Sequence, residues 1–315
     1  MLEISARLLG YAPPKAVTGY QESKFVFHPT LIWELKAGWK GFEGGGDVRI
    51  NSLGFRTDEI SRKSPMEKRI LCLGDSVTFG YWVNQDEPWP QVLQKMYQNR
   101  GINATVINAG VPGYSTFQSL EQWRLKGKNL QPDVVILGYC LNDATERYSK
   151  VASYGGDDIF LGVDTSQALP SIQRLLRRSA LYRYIKLKLQ KSAKLEETYS
   201  VRRLFDDPLA PPIKGAWERN SQEIIALKDE IEREGKKLLV VIFPYFFQFF
   251  LKENGEVHNR RILSFCEKNK IDCIDLFPVF ASHLKDNLFL DGNHFTPAGH
   301  RLVANTIFEF LEHPR

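Results

Sequence analysis

Apolar positions along the chain fall into two periods that take turns. ArgIleLeuCysLeuGly (69–74) is a short continuous apolar run closed by glycine, the pattern of a strand buried on both faces. AlaThrValIleAsn (104–108), AspValValIleLeuGlyTyrCys (133–140) and LysLysLeuLeuValValIlePhe (236–243) repeat it, and Ile271–Leu276 is a weaker fifth. Between these runs the spacing is helical. Pro90 suits a first turn and Val92, Leu93, Met96 and Tyr97 then share one face. Further helices are predicted over Ser115–Lys128, capped by Ser115, and over Ser221–Arg233, Val257–Asn269 and Pro297–Leu311. Strands alternating with helices predict a parallel sheet covered on both faces. Sites in such sheets lie beyond the carboxyl ends of the strands, so the polar residues that follow each strand carry the interest.

Two stretches depart from this rhythm. Residues 1–65 have weak periodicity, a GlyGlyGly run at 44–46, and a short strand at Asp47–Ile50 leading into the turn AsnSerLeuGlyPheArg (51–56). They read as an N-terminal extension packed on a main domain spanning 66–315. Residues 144–215 interrupt the alternation as a helical basic insertion. Within it, Ser171–Lys194 carries eight Lys or Arg and no acid. A solvated basic face is the plain reading; a lid, or contact with an anionic membrane surface, is the sharper one.

Composition adds little chemistry. The chain has 315 residues, 43% hydrophobic and 25% charged, enough for a sizeable core. The net charge of +5 is too small to point to nucleic acid. Cys72, Cys140, Cys266 and Cys273 form no CxxC pair and read as buried free thiols, with a Cys266–Cys273 bridge left open. The first fifteen residues hold no apolar run of signal-peptide length. A soluble, cytoplasmic protein is expected, or a cell-envelope one if an anchor precedes the sequence.

The chemistry sits at four strand ends. Gly74-Asp75-Ser76-Val77-Thr78-Phe79-Gly80 places Ser76 at a strand-to-helix junction, where a helix N-terminus favours developing negative charge. The same loop would also suit a phosphate or a flavin. Asn108 to Ser115 contains glycines that leave backbone amides free to donate, and Asn142 follows the third strand, with Asp143 shaping its loop. Asp291 precedes His294 by three residues, a spacing that lets a carboxylate hold the imidazole in one tautomer. His300 falls in the closing helix, to pack or face solvent; His28, His258, His283 and His313 have no motif nearby. A nucleophile, donor positions and an oriented base together form an acyl-transfer set.

With those four blocks in order over residues 66–315, the chain resembles the SGNH hydrolases, also called GDSL esterases and lipases. The resemblance implies a three-layer α/β/α sandwich around a parallel five-stranded sheet of flavodoxin-like topology. It implies Ser76 as nucleophile and first oxyanion donor, Gly113 as second donor and Asn142 as third, with His294 as base and Asp291 orienting it. Gly113 is preferred to Gly110 because the family glycine falls five residues after the Asn closing the second strand. One departure is Cys140, where the family's third block carries Gly. The 51–56 turn resembles an extension of some bacterial members.

The expected activity is hydrolysis of a small-molecule or glycan ester, without metal or organic cofactor. Acyl transfer to a saccharide is the alternative. A phosphate- or flavin-binding module is a third reading, which leaves Asp291 and His294 without a role. Tyr245, Phe246 and Phe247 are candidates for a substrate pocket, against the plainer alternative of core and lid packing.

Overall fold

Five parallel strands build the centre of the molecule: β5 (Lys68–Gly74), β6 (Ala104–Asn108), β7 (Val134–Tyr139), β8 (Lys237–Ile242) and β9 (Asp272–Asp275), in the spatial order β6-β5-β7-β8-β9. Counted along this sheet the order is 2-1-3-4-5, the flavodoxin-like winding. The structure is a computed structural model and describes residues 2, 5, 24–43, 46–145, 201–251 and 254–313. The basic stretch 171–194 lies outside the described residues.

Period-two alternation splits each strand between two cores. Leu71 and Leu73 of β5, with Val135 and Leu137 of β7, face α3 (Thr116–Gln122), α5 (Pro211–Arg233) and α6 (Val257–Lys268). Ile70 and Cys72, with Ile136 and Val241, face α2 (Trp89–Asn99), α7 (Phe277–Ser282) and α8 (Pro297–Glu312). The strands β5, β7 and β8 thus bury both their faces, which is why they read as solid apolar runs, whereas the edge strand β9 is buried only at Ile274. Short helices α1 (Ser76–Phe79) and α4 (Asn142–Thr145) stand directly at strand ends.

Several expectations shift in detail. The helix expected over Ser115–Lys128 is regular only in α3; a π-helical turn over Trp123–Gly127 and a 3₁₀ turn over Lys128–Leu130 follow. The widened turn accommodates close packing: a Cβ on Gly127 would stand 2.9 Å from the Leu71 side chain. Helix α5 starts ten residues earlier than the Ser221 expected, because Pro211 and Pro212 fit a first turn, where no N–H is needed. The four cysteines are free thiols, and Cys273 hydrogen-bonds Cys266 without a disulfide. His300 packs rather than facing solvent, at 1% exposure.

Ahead of the sheet lie two antiparallel pairs, β1 (Phe25–His28) with β2 (Ile32–Leu35), and β3 (Lys40–Glu43) with β4 (Gly46–Arg49). They do not pair with the main sheet. Phe25, Leu31, Trp33, Leu35, Val48 and Ile50 instead bury themselves against Phe79, Val111 and Tyr114. Phe79 ends α1 after β5, and Val111 and Tyr114 lie in the loop after β6, so the hairpins pack where the chemistry is expected.

Candidate active site

Ser76 opens α1 immediately after β5. Gly74 makes the turn at φ 148°, and a side chain there would meet the Thr78 hydroxyl at 2.4 Å and the Gly138 carbonyl at 2.9 Å. Asp75 caps the helix by accepting the Val77 N–H at 2.9 Å. Ser76 is left partly exposed above a buried loop. Its own N–H has no acceptor among the described residues.

The C-terminal loop brings the imidazole to it. Asp291 Oδ1 accepts the N–H groups of Asn293 and His294 at 2.9 and 2.8 Å, closing a tight turn. Asp291 Oδ2 stands 2.7 Å from His294 Nδ1, and His294 Nε2 stands 2.9 Å from Ser76 Oγ. A carboxylate can only accept, so Nδ1 carries the proton and Nε2 is free to accept from Ser76. Burial pushes the Asp291 carboxyl up, but the bonds from Asn293 and His294 outweigh it and hold it below the usual carboxylate range. It is therefore charged at neutral pH.

The loop after β6 separates the two glycines. The Gly110 N–H is spent on Asn108 Oδ1 at 3.0 Å, and α1 packs on the glycine so closely that a Cβ would lie 2.2 Å from Phe79 N. Gly113 adopts φ 83°, and no acceptor among the described residues takes its N–H. The Val111 N–H donates to Gly74 O at 3.0 Å, tying this loop to the turn that carries Ser76.

Asn142 opens α4 and is 6% exposed. In-register pairing of Gly74 with Gly138 brings its loop to the same sheet edge as Ser76. Asp143 shapes the loop by accepting the Cys140 N–H at 2.9 Å. Cys140, the departure from the family pattern, donates its thiol to Asp75 Oδ1 at 3.3 Å and so links this loop to the helix cap beside Ser76.

The aromatic run divides. The Phe246 N–H donates to Gly292 O at 2.9 Å, and Phe246, whose ring is exposed, is thereby tied to the Asp291–His294 loop. Tyr245 and Phe247 pack toward the core, Phe247 edge-on to Phe205 at 5.5 Å. Among the described residues no cluster of three His, Cys, Asp or Glu is placed to hold a metal ion.

Three neighbours of the site were not anticipated. Trp33 of β2 donates its indole N–H to Pro112 O at 3.1 Å and lies where a Gly113 side chain would sit. Arg56, fully buried, donates to the carbonyls of Phe79, Gly80 and Val83 at 3.2, 2.6 and 2.8 Å. Burial pushes its guanidinium down to about 9, against a smaller opposing pull from Glu87. The turn it grips carries Tyr81 and Trp82, whose rings stand 5.4 and 5.2 Å from the His294 ring. Arg56 ends the 51–56 turn noted in the sequence, but the turn pattern gives no clue to this reach.

A sequence profile of the GDSL-like lipase/acylhydrolase family matches residues 72–302. The chain belongs to that family. The chain is 30% identical over 84 residues to an arylesterase of Vibrio mimicus, a match covering 27% of the chain and 42% of that protein. Similar solved structures include TesA, at 14% identity and TM-score 0.48, covering 78% of this chain and 98% of that one. An acetylxylan esterase of Geobacillus stearothermophilus has 14% identity and TM-score 0.46 over 77% of this chain and 93% of its own.

Proposed function

We propose that the enzyme cleaves carboxylic esters, acyl or acetyl esters of lipid or carbohydrate, through an acyl-enzyme on Ser76. The relay from Ser76 through His294 to Asp291, at 2.9 and 2.7 Å, carries this reading. Ser76 Oγ attacks the ester carbonyl carbon as His294 Nε2 takes its proton. The carbonyl oxygen becomes an oxyanion, held by the N–H groups of Ser76 and Gly113 and by the Asn142 amide. These are fixed donors aimed at charge that develops in the transition state, where one donor is worth roughly 10²–10³-fold in rate. The intermediate collapses, the C–O bond to the alcohol breaks, and His294 returns its proton to the leaving oxygen. Water, deprotonated by His294, then attacks the acyl carbon and releases the acid and Ser76.

The Asp291–His294 pair on Ser76 favours this chemistry over a phosphate- or flavin-binding loop, which would not call for it. The hairpins of residues 25–49 act as part of the catalytic unit, since they pack on its loops. Acyl transfer to a saccharide uses the same steps with a sugar hydroxyl in place of water. A fluorophosphonate probe is expected to label the wild type and not Ser76→Ala. Labelling of that variant would remove Ser76 from the role.

A further inference from the structure

We infer that Trp82 is a specificity-determining platform on which the alcohol portion of the substrate stacks a ring face; this rests on the esterase reading. In acylation His294 hands its proton to the departing alcohol oxygen, so that alcohol must leave beside the imidazole. Two aromatic rings stand there. Tyr81 is half-buried and 5.4 Å from the imidazole; Trp82 is 5.2 Å away and 38% exposed. The rings of Tyr81 and Trp82 are themselves 5.0 Å apart. A tryptophan beside a catalytic group and still open to solvent has ring surface to offer a substrate.

Its backbone argues the same way. Trp82 holds φ 67°, a left-handed conformation that glycine takes freely and a bulky side chain takes at a cost. Such conformations persist only where surrounding structure enforces them, and they gather at functional sites. The enforcement is Arg56, bonded to carbonyls on both sides of Trp82, at Gly80 and at Val83. Asn108 adds a bond to Phe79 O at 3.2 Å. A strained, rigidly held and solvent-facing indole offers a flat apolar surface. A ring-bearing alcohol fits it, either an aryl group or the apolar face of a pyranose; an acyclic alcohol has nothing to stack.

The test compares wild type, Trp82→Ala and Trp82→Gly on phenyl acetate, a mono-acetylated methyl pyranoside and ethyl acetate. Fluorophosphonate labelling rates report the Ser76–His294 pair independently, because the fluoride leaving group has no ring. Trp82→Gly suits the backbone and guards against a folding defect. Both variants are expected to lose about tenfold in kcat/KM on at least one ring ester, mostly through KM, consistent with one aromatic stack. Ethyl acetate turnover and labelling stay within twofold. The ester showing the larger loss, aryl or pyranosyl, identifies the ring. Equal losses on all three esters, or no loss on any, would overturn the platform. A wild type that neither hydrolyses nor labels would overturn the esterase reading itself, and the platform with it.

Discussion

Replacing Trp33 with Phe tests whether the N-terminal hairpin belongs to the catalytic machinery. The substitution deletes one hydrogen bond, from the indole N–H to the buried Pro112 carbonyl at 3.1 Å, and thins the ring lying against Gly113. The Tyr114 hydroxyl still donates to the Trp33 backbone carbonyl at 2.7 Å, and Gln118 to that of Leu31 at 2.9 Å, so the hairpin stays docked. Stranding a buried carbonyl costs about 1–3 kcal/mol. Trimming a side chain that is 3% exposed adds a cavity cost of about 1 kcal/mol. The sum, about 3 kcal/mol, corresponds to a melting temperature lower by roughly 4–6 °C for a chain of this length.

The kinetic effect is separate. Pro112 precedes Gly113, so freeing its carbonyl loosens the N–H donor proposed to hold the oxyanion. An interaction made mainly in the transition state appears in kcat rather than KM. Removing a donor costs roughly 10²–10³-fold, so loosening one is expected to cost about tenfold in kcat at unchanged KM. The assay is steady-state hydrolysis of p-nitrophenyl acetate at a temperature where thermal melts show the variant fully folded. If stability falls as expected while kcat stays within twofold, the hairpin is scaffolding only and the reasoning fails.

Three further expectations follow from the same geometry. Asp291→Asn removes the charge that fixes and balances His294 and is expected to lower kcat by about 10³–10⁴-fold, as when a triad carboxylate is neutralised; a loss under tenfold in ester turnover counts against its role. Gly110→Ala must push a methyl to within 2.2 Å of the Phe79 backbone nitrogen, which cannot yield, so urea unfolding should show a loss above about 3 kcal/mol. His258 and His300 are held neutral by burial, with nearby positive charge adding, and both are pushed down to about 3 from 6.5. The unfolded chain then binds more protons than the native one between these values. Their contribution is complete above pH 6.5 and is lost as pH falls toward 3, at up to about 1.4 kcal/mol per pH unit for each histidine. Urea midpoints at pH 7, 6 and 5 should fall accordingly, and His300→Gln should shallow the slope; a flat profile would refute the linkage.

The five main strands and the triad candidates were legible because their signals are local. Doubly buried strands announce themselves as solid apolar runs, and Asp291 lies close enough to His294 for spacing alone to suggest the pair. The choice of Gly113 over Gly110 came from a family count, and the geometry supplies a physical reason, since Asn108 already occupies the other amide. The hairpins were not legible as partners of the site. Their strands are four residues long, and the bonds of Trp33 and Tyr114 join positions 79 and 81 residues apart. Trp82 was invisible for a different reason: a left-handed backbone is imposed by Arg56 from another segment, not by the tryptophan's own preference. Cys140 looked like a defect in a motif, yet its thiol bond to Asp75 is a contact glycine could not make.

The proposed nucleophile Ser76 and its proposed base His294 are separated by 218 residues, on the first and last crossings of the sheet edge. At a synthesis rate of about 5–20 residues per second, Ser76 exists for roughly 10–45 s before His294 has even been made. During that time the serine is an ordinary alcohol with no base beside it. The order of the chain therefore acts as a timer. On the proposed mechanism no acyl-enzyme forms on a chain that ends before His294, and a ribosome that stalls there releases a product that is chemically silent rather than wrongly active.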